Sequence, residues 1–92
     1  MEITVNGYIL RDWRLFHDRW SRDDCCWDVN SVYLDIIPTE ATDNKRWVFL
    51  CGPGLSFLCD IFNYHSGFEQ LDKAKEYADS ILIRMSKLKA FW

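Results

Sequence analysis

Between Asn63 and Trp92 the apolar positions recur at intervals of three and four. Leu71, Ala74, Ala78, Ile81, Leu82, Met85 and Leu88 fall on one stripe, and Asp72, Lys73, Lys75, Glu76, Asp79, Arg84 and Lys87 lie opposite. This spacing predicts a surface helix with one buried face, running from Gln70 to Lys89. At about 1.5 Å per residue it is roughly 30 Å long. Gly67 and the polar residues after it mark the entry, with Glu69 or Gln70 as an imperfect N-cap in place of Ser, Thr, Asp or Asn. Asp72 near the start and Lys87 and Lys89 near the end suit the helix dipole. On the wet face, Glu69/Lys73, Lys75/Asp79 and Asp72/Lys75 have the spacing of self-satisfying ion pairs.

Upstream of the helix the pattern shortens towards alternation. Ile3 to Leu10 reads as a hairpin, because Asn6-Gly7 suits a turn with both central residues at positive φ. Arg11 to Trp27 fits two periods: Trp13, Phe16 and Trp20 recur at helical spacing, while the residues after Trp13 also alternate. The reading adopted is strand-like structure passing into an irregular loop at Ser21-Arg22-Asp23-Asp24, with Cys25 to Asp28 re-entering the sheet. Val32 to Ile37 is a β-branched strand stopped by Pro38, and Thr39 to Lys45 is a polar loop. Arg46 to Cys51 is a second strand, Gly52-Pro53-Gly54 a turn, and Leu55 to Phe62 a third strand. The expected fold class is α+β: a small antiparallel β-sheet (N-terminal hairpin plus three-stranded meander) with one C-terminal helix packed on one face. One domain spans 1–92, without repeat or linker. The strand at 46–51 is apolar on both faces, and that at 55–62 is too except for Ser56 and Asp60, so one face receives the helix and the other is left for the N-terminal aromatics or a partner.

Composition narrows the function. With 49% hydrophobic and 27% charged residues in 92, the chain is long and apolar enough for a single core. The net charge of −3 fits neither a wholly basic nucleic-acid binder nor a dense-carboxylate DNA mimic. No apolar run approaches the roughly 18 residues of a membrane helix, and the first residues lack a basic, then apolar, leader. A cytosolic protein with no membrane partner is expected. Cys25, Cys26, Cys51 and Cys59 have neither zinc spacing nor a disulfide pattern, so reduced, structural thiols and no metal or cofactor are expected. His17, His65 and the scattered carboxylates fall in no catalytic motif, and so short a chain leaves little room for a pocket of several hundred Å³. The protein is expected not to be an enzyme and to take no small-molecule substrate.

One segment stands out chemically. Arg11 to Arg22 holds four arginines against Asp12 and Asp18, a local charge of +2 in an acidic chain, with Trp13, Phe16 and Trp20 interleaved. Guanidinium forks pair with phosphates and aromatic faces stack on unpaired bases. The candidate partner- or RNA-binding residues are therefore Arg11, Trp13, Arg14, Arg19, Trp20 and Arg22, extended by Lys45 and Arg46 if the preceding loop lies alongside. The plainer alternative is a solvated Arg/Asp surface above core-facing Trp13 and Trp20.

Taken whole, the chain resembles the small phage-encoded anti-CRISPR proteins, in particular inhibitors of type I-F surveillance complexes. The resemblance runs the full length and is one of build. It rests on the short hairpin Ile3 to Leu10, the Arg/Trp segment behind it, and a meander closing on Gly67-Phe68-Glu69-Gln70-Leu71-Asp72-Lys73-Ala74-Lys75 into one terminal helix. It implies a non-enzymatic inhibitor in the host cytoplasm, bound to a multi-subunit CRISPR surveillance complex (protein subunits and guide RNA) and blocking target DNA. The chain departs from the strongly acidic, DNA-mimicking members of that group, which favours a protein-plus-RNA docking surface. Two further classes compete: a small single-stranded RNA-binding module, and a thiol protein relying on Cys25-Cys26.

Overall fold

The chain opens with two hairpins built on different turns. The computed structural model describes residues 1–24, 32–39, 46–52, 54–62 and 67–87. Strands β1 (Ile3–Val5) and β2 (Tyr8–Leu10) pair antiparallel, Ile3 opposite Leu10 and Val5 opposite Tyr8. Between them Asn6 and Gly7 have φ of 51° and 79°, the left-handed pair that the Asn-Gly dipeptide predicted. This two-stranded sheet is separate from the main one, and Ile3, Val5 and Leu10 are buried.

The main sheet has four antiparallel strands in sequence order: β3 (Arg14–Phe16), β4 (Arg19–Asp23), β5 (Tyr33–Thr39) and β6 (Arg46–Cys51). The expected loop at residues 21–24 is largely strand instead: Ser21, Arg22 and Asp23 pair with Asp35, Leu34 and Tyr33. Its polar composition is misleading because β4 lies between β3 and β5, and the fold supplies Arg22 with internal partners. The strand at Val32 also runs past its expected stop, with Pro38 opposite Trp47 and Thr39 opposite Arg46. Gly52 N donates to Tyr33 O and Asp24 N to Val32 O, so odd residues of β5 bond to β6 and even ones to β4. The β4 ladder ends at Ile36, so the proline nitrogen of Pro38 faces an edge with no bond to lose.

The third expected strand, Leu55 to Phe62, is helical: a 3-10 turn at Ser56–Leu58 runs into α1 (Cys59–Phe62). Its buried residues, Leu55, Leu58 and Phe62, recur at helical spacing, whereas Phe57 and Ile61 are exposed. The two polar residues of the run, Ser56 and Asp60, also lie four apart, a helical period that its short length and large apolar residues masked. At Trp47 the outer edge of β6 is occupied by Phe68, with N–H to O distances of 2.7 and 2.9 Å in the two directions.

Helix α2 (Leu71–Ser86) follows Gln70, which makes no side-chain cap bond, as its residue type implied. Ala74, Ala78, Ile81 and Leu82 are buried, and the helix lies on β1 and β6. The small Ala74 and Ala78 side chains let its backbone come close to the strands. Leu88 and Lys89, assigned to the helix from sequence, lie outside the described residues. An aromatic group ties the layers together: Phe49 lies 5.0 Å from Phe62, 6.0 Å from Phe68 and 5.8 Å from Tyr77, centroid to centroid. The fold is thus α+β, with antiparallel sheets and the C-terminal helix packed on them.

Candidate docking face

Pairing sorts the side chains of the four-stranded sheet onto two faces. The row Leu15, Trp20, Ile36, Phe49 and the row Arg22, Leu34, Cys51 share the face that packs towards α2. The rows Arg14, Ser21, Asp35, Leu50 and Phe16, Arg19, Ile37, Val48 share the opposite face. The arginine-aromatic segment is therefore divided between interior and exterior.

Trp13, Trp20 and Arg22 belong to the helix side. Arg22 is only 1% exposed and is the largest fully buried side chain. Its Nε donates to Asp79 Oδ1 at 2.9 Å, and its Nη1 donates to the carbonyls of Met1 and Arg11 at 2.8 and 3.0 Å. Its Nη2 lies 3.4 Å from Asp12. Trp13 Nε1 donates to the same Asp79 oxygen at 2.9 Å, and its ring lies 5.2 Å from the guanidinium carbon. Arg22 thus joins α2, β4 and the N-terminal segment, and as a docking residue it is corrected: its donors are spent inside. Trp20 is half-buried beneath Lys75, whose Nζ sits 3.5 Å from the ring centroid. The predicted Lys75/Asp79 pair gives way to these longer-range contacts, and the short-range helix pair is Lys73 with Glu76 at 3.6 Å.

Arg14 and Arg19 lie on the face away from α2, where Phe16 and Leu50 on the two edge strands are 46% and 41% exposed while Ser21 and Asp35 between them are buried. Neither arginine stands as a bare cation. Arg14 lies 3.8 Å from Asp23, which also accepts from Arg11 Nη2 at 2.6 Å. Arg19 approaches Asp35 at 3.4 Å and Asp18 at 4.0 Å. Arg46 meets Glu69 at 3.8 Å, and Lys45 lies outside the described residues. The local surplus of +2 is therefore met by Asp23, Asp35 and Asp79, carboxylates that folding brings in from beyond residues 11–22. Asp35 Oδ1 is buried with no hydrogen-bond partner, leaving one lone-pair site of this face unmatched. At Asp12, hydrogen bonds from the Met1 ammonium and then the Trp13 N–H hold the carboxyl below its ordinary value.

Other chemistry is sparse. Among the described residues no three His, Cys, Asp or Glu side chains gather as a metal site, and no helix is long and apolar enough to cross a membrane. The expectation of little pocket volume is corrected by a groove of about 600 Å³ between the first hairpin and the end of α2. It is lined by Met1, Glu2, Ile3, Thr4, Gly7, Ile83 and Ser86, and Glu2 is its one side-chain acid.

Sequence reasoning overlooked Asp79, taken for a solvated helix residue, and Asp35, hidden in a β-branched run. Phe16 and Leu50 were also missed: alternation places Phe16 on the face opposite Trp13, but only the turn between β3 and β4 sets it on the face opposite Trp20 as well. Compared with protein-family models, with curated proteins and with solved structures, the chain has no match in any of the three.

Proposed function

We propose that this is a non-enzymatic interaction protein that docks through the β3 edge of its four-stranded sheet, on the face away from α2. The observation that carries the reading is the exposed Phe16 on the edge strand β3, beside Arg14 on its own strand and opposite Arg19 on β4, with exposed Leu50 on the far edge strand β6. Large apolar side chains beside arginine form the composition of interface anchors. The partner in this reading is a ribonucleoprotein: Phe16 and Leu50 meet protein or a splayed base, and the two guanidiniums exchange carboxylates for phosphates at the rim. Its narrower form is inhibition of a CRISPR guide-RNA surveillance complex in the host cytoplasm, with target DNA kept from binding. That form rests on the resemblance in build.

A free single-stranded RNA-binding module is the second reading, favoured by an exposed aromatic on an open antiparallel sheet, a platform on which bases stack. The pairing of Arg11, Arg14, Arg19 and Arg46 with carboxylates weighs against it, because phosphate must displace an acid already in place. The two readings separate in a binding titration against assembled complex and against naked single-stranded RNA over a salt series. Binding to the complex alone supports the first reading. Binding to naked RNA, with affinity falling steeply as salt rises, would replace it with the second.

A further inference from the structure

The first hairpin leaves one strand edge open beside a groove. A two-residue turn such as Asn6-Gly7 joins the carbonyl before it to the N–H after it, so Val5/Tyr8 and Ile3/Leu10 are bonded pairs and Thr4/Ile9 is not. Arg11 agrees with this alternation. Its N–H donates to Asp23 O at 2.8 Å and its carbonyl accepts from Arg22 Nη1 at 3.0 Å, both towards β4 rather than β1. The N–H and C=O of Glu2 and Thr4 therefore point outward from β1, on an edge with no neighbouring strand among the described residues. The groove of about 600 Å³ borders this edge. Met1, Glu2, Ile3 and Thr4 all line it, and because successive side chains point to opposite faces, four consecutive residues share one groove only along the edge of the strand. Ile83 and Ser86, three apart on α2, form the other wall, with Ser86 Oγ donating back to Ile83 O at 2.6 Å. Glu2 is exposed and is the one acid of the lining. No Lys, Arg or His side chain joins it there, and the Met1 ammonium is held by Asp12 at 3.0 Å.

We propose that the outer edge of β1 accepts an extended, basic segment of a partner protein, added antiparallel as a third strand between β1 and the end of α2. Thr4 exchanges two backbone bonds with one residue of the segment, and Glu2 does so with the residue two positions on. Those two residues place their side chains on the face that carries Glu2 and Thr4, where the carboxylate of Glu2 matches a lysine or arginine. The residue between them turns to the face of Ile3, towards half-buried Ile83, and a branched apolar side chain suits it. A segment alternating basic and apolar residues meets both demands. A second copy of this chain does not: pairing β1 with itself about Thr4 sets Glu2 opposite the other copy's Asn6, which brings it no cation, and both chains carry a net charge of −3. This surface is separate from the β3 edge, so the proposal is independent of the docking proposed there.

The test is a titration of the full chain with the blocked peptide Lys-Val-Lys-Val-Lys, read by amide shifts and by hydrogen exchange at Thr4. The expected result is saturable binding with slower exchange of the Thr4 N–H. Backbone N-methylation of the peptide at its lysines, whose nitrogens face β1 in this register, should weaken binding about tenfold or more. The same change at the valines, whose nitrogens face away, should be tolerated. Thr4→Pro removes the outward N–H without touching a hairpin bond and should also weaken binding, as should Glu2→Lys through its charge. If Thr4→Pro fails to fold, the two methylated peptides decide on the unmutated chain. No saturable binding, unchanged exchange at Thr4, equal losses with the two methylated peptides, or equal binding of Glu-Val-Glu-Val-Glu would each overturn the proposal. Slower exchange at Thr4 on raising the protein concentration without peptide would give the edge to a second copy and overturn it too.

Discussion

Arg22 shows how far the role of a residue depends on what folding brings to it. Its guanidinium is buried, but Asp79, Asp12 and two carbonyls receive its donors, so the interior holds a matched polar centre rather than a bare charge. Removing one partner from such a buried pair costs about 3–5 kcal/mol, because the other is left uncompensated. Arg22→Ala should lose stability of that order in denaturant titration, and Trp13→Phe, which deletes one donor to Asp79, only about 1 kcal/mol. A loss under about 1 kcal/mol for Arg22→Ala would show that Asp79 escapes to solvent. Cys51 gives a pH signature. Burial holds its thiol up at about 12, above the ordinary value of 9.0, so the contribution is complete below pH 9 and lost as pH rises towards 12. The melting temperature of the unmutated chain should fall across that window more steeply than that of Cys51→Ala; equal slopes would show that the thiol is not held protonated by the fold.

At the scale of elements, α2 is held by its buried stripe, and truncating Ile81 or Leu82 to Ala should cost about 2–5 kcal/mol. Lys73→Ala, at an exposed i,i+3 pair, should cost under about 0.5 kcal/mol by thermal or chemical denaturation. Equal costs at the two kinds of site would mean that the buried face has been misassigned. The second hairpin makes its own prediction. His17 has φ of 58° at the tip, a conformation that penalises a Cβ, so His17→Gly should stabilise by up to about 1 kcal/mol. The elements legible from sequence had a period or a marked turn, as with α2, the Asn6-Gly7 hairpin and the strand at 46–51. Residues 55–62 were misread although Ser56 and Asp60, four apart, already carried a helical period; the large apolar residues around them outweighed it in the reading. Residues 21–23 were misread because polar side chains in an inner strand reveal themselves only through partners elsewhere in the chain.

For the whole molecule, the main lesson is electrostatic. Counting charges along Arg11 to Arg22 finds a cationic patch, but counting them in space finds Asp23, Asp35 and Asp79 beside the same guanidiniums. Of the candidate residues, Arg14 and Arg19 lie part-exposed on the face away from α2, each beside a carboxylate. Core-facing Trp13 and Trp20 were the plainer alternative in the sequence, but nothing there marked Arg22 as buried, since its partner Asp79 sits on a helix more than fifty residues away. What remains exposed, Phe16 on β3 beside Arg14 and Arg19, with Leu50 on the far edge strand β6, is the surface on which the proposed docking depends. The most direct test is the affinity of three proteins for the assembled guide-RNA complex: the unmutated chain, an Arg14→Ser/Phe16→Ser variant, and an Asp72→Arg/Glu76→Arg variant on the wet face of α2. Loss of about tenfold or more for the sheet-face variant at an unchanged melting temperature, with the helix variant binding normally, is the predicted result. Normal binding by the sheet-face variant, with binding lost in the helix variant, would contradict the account.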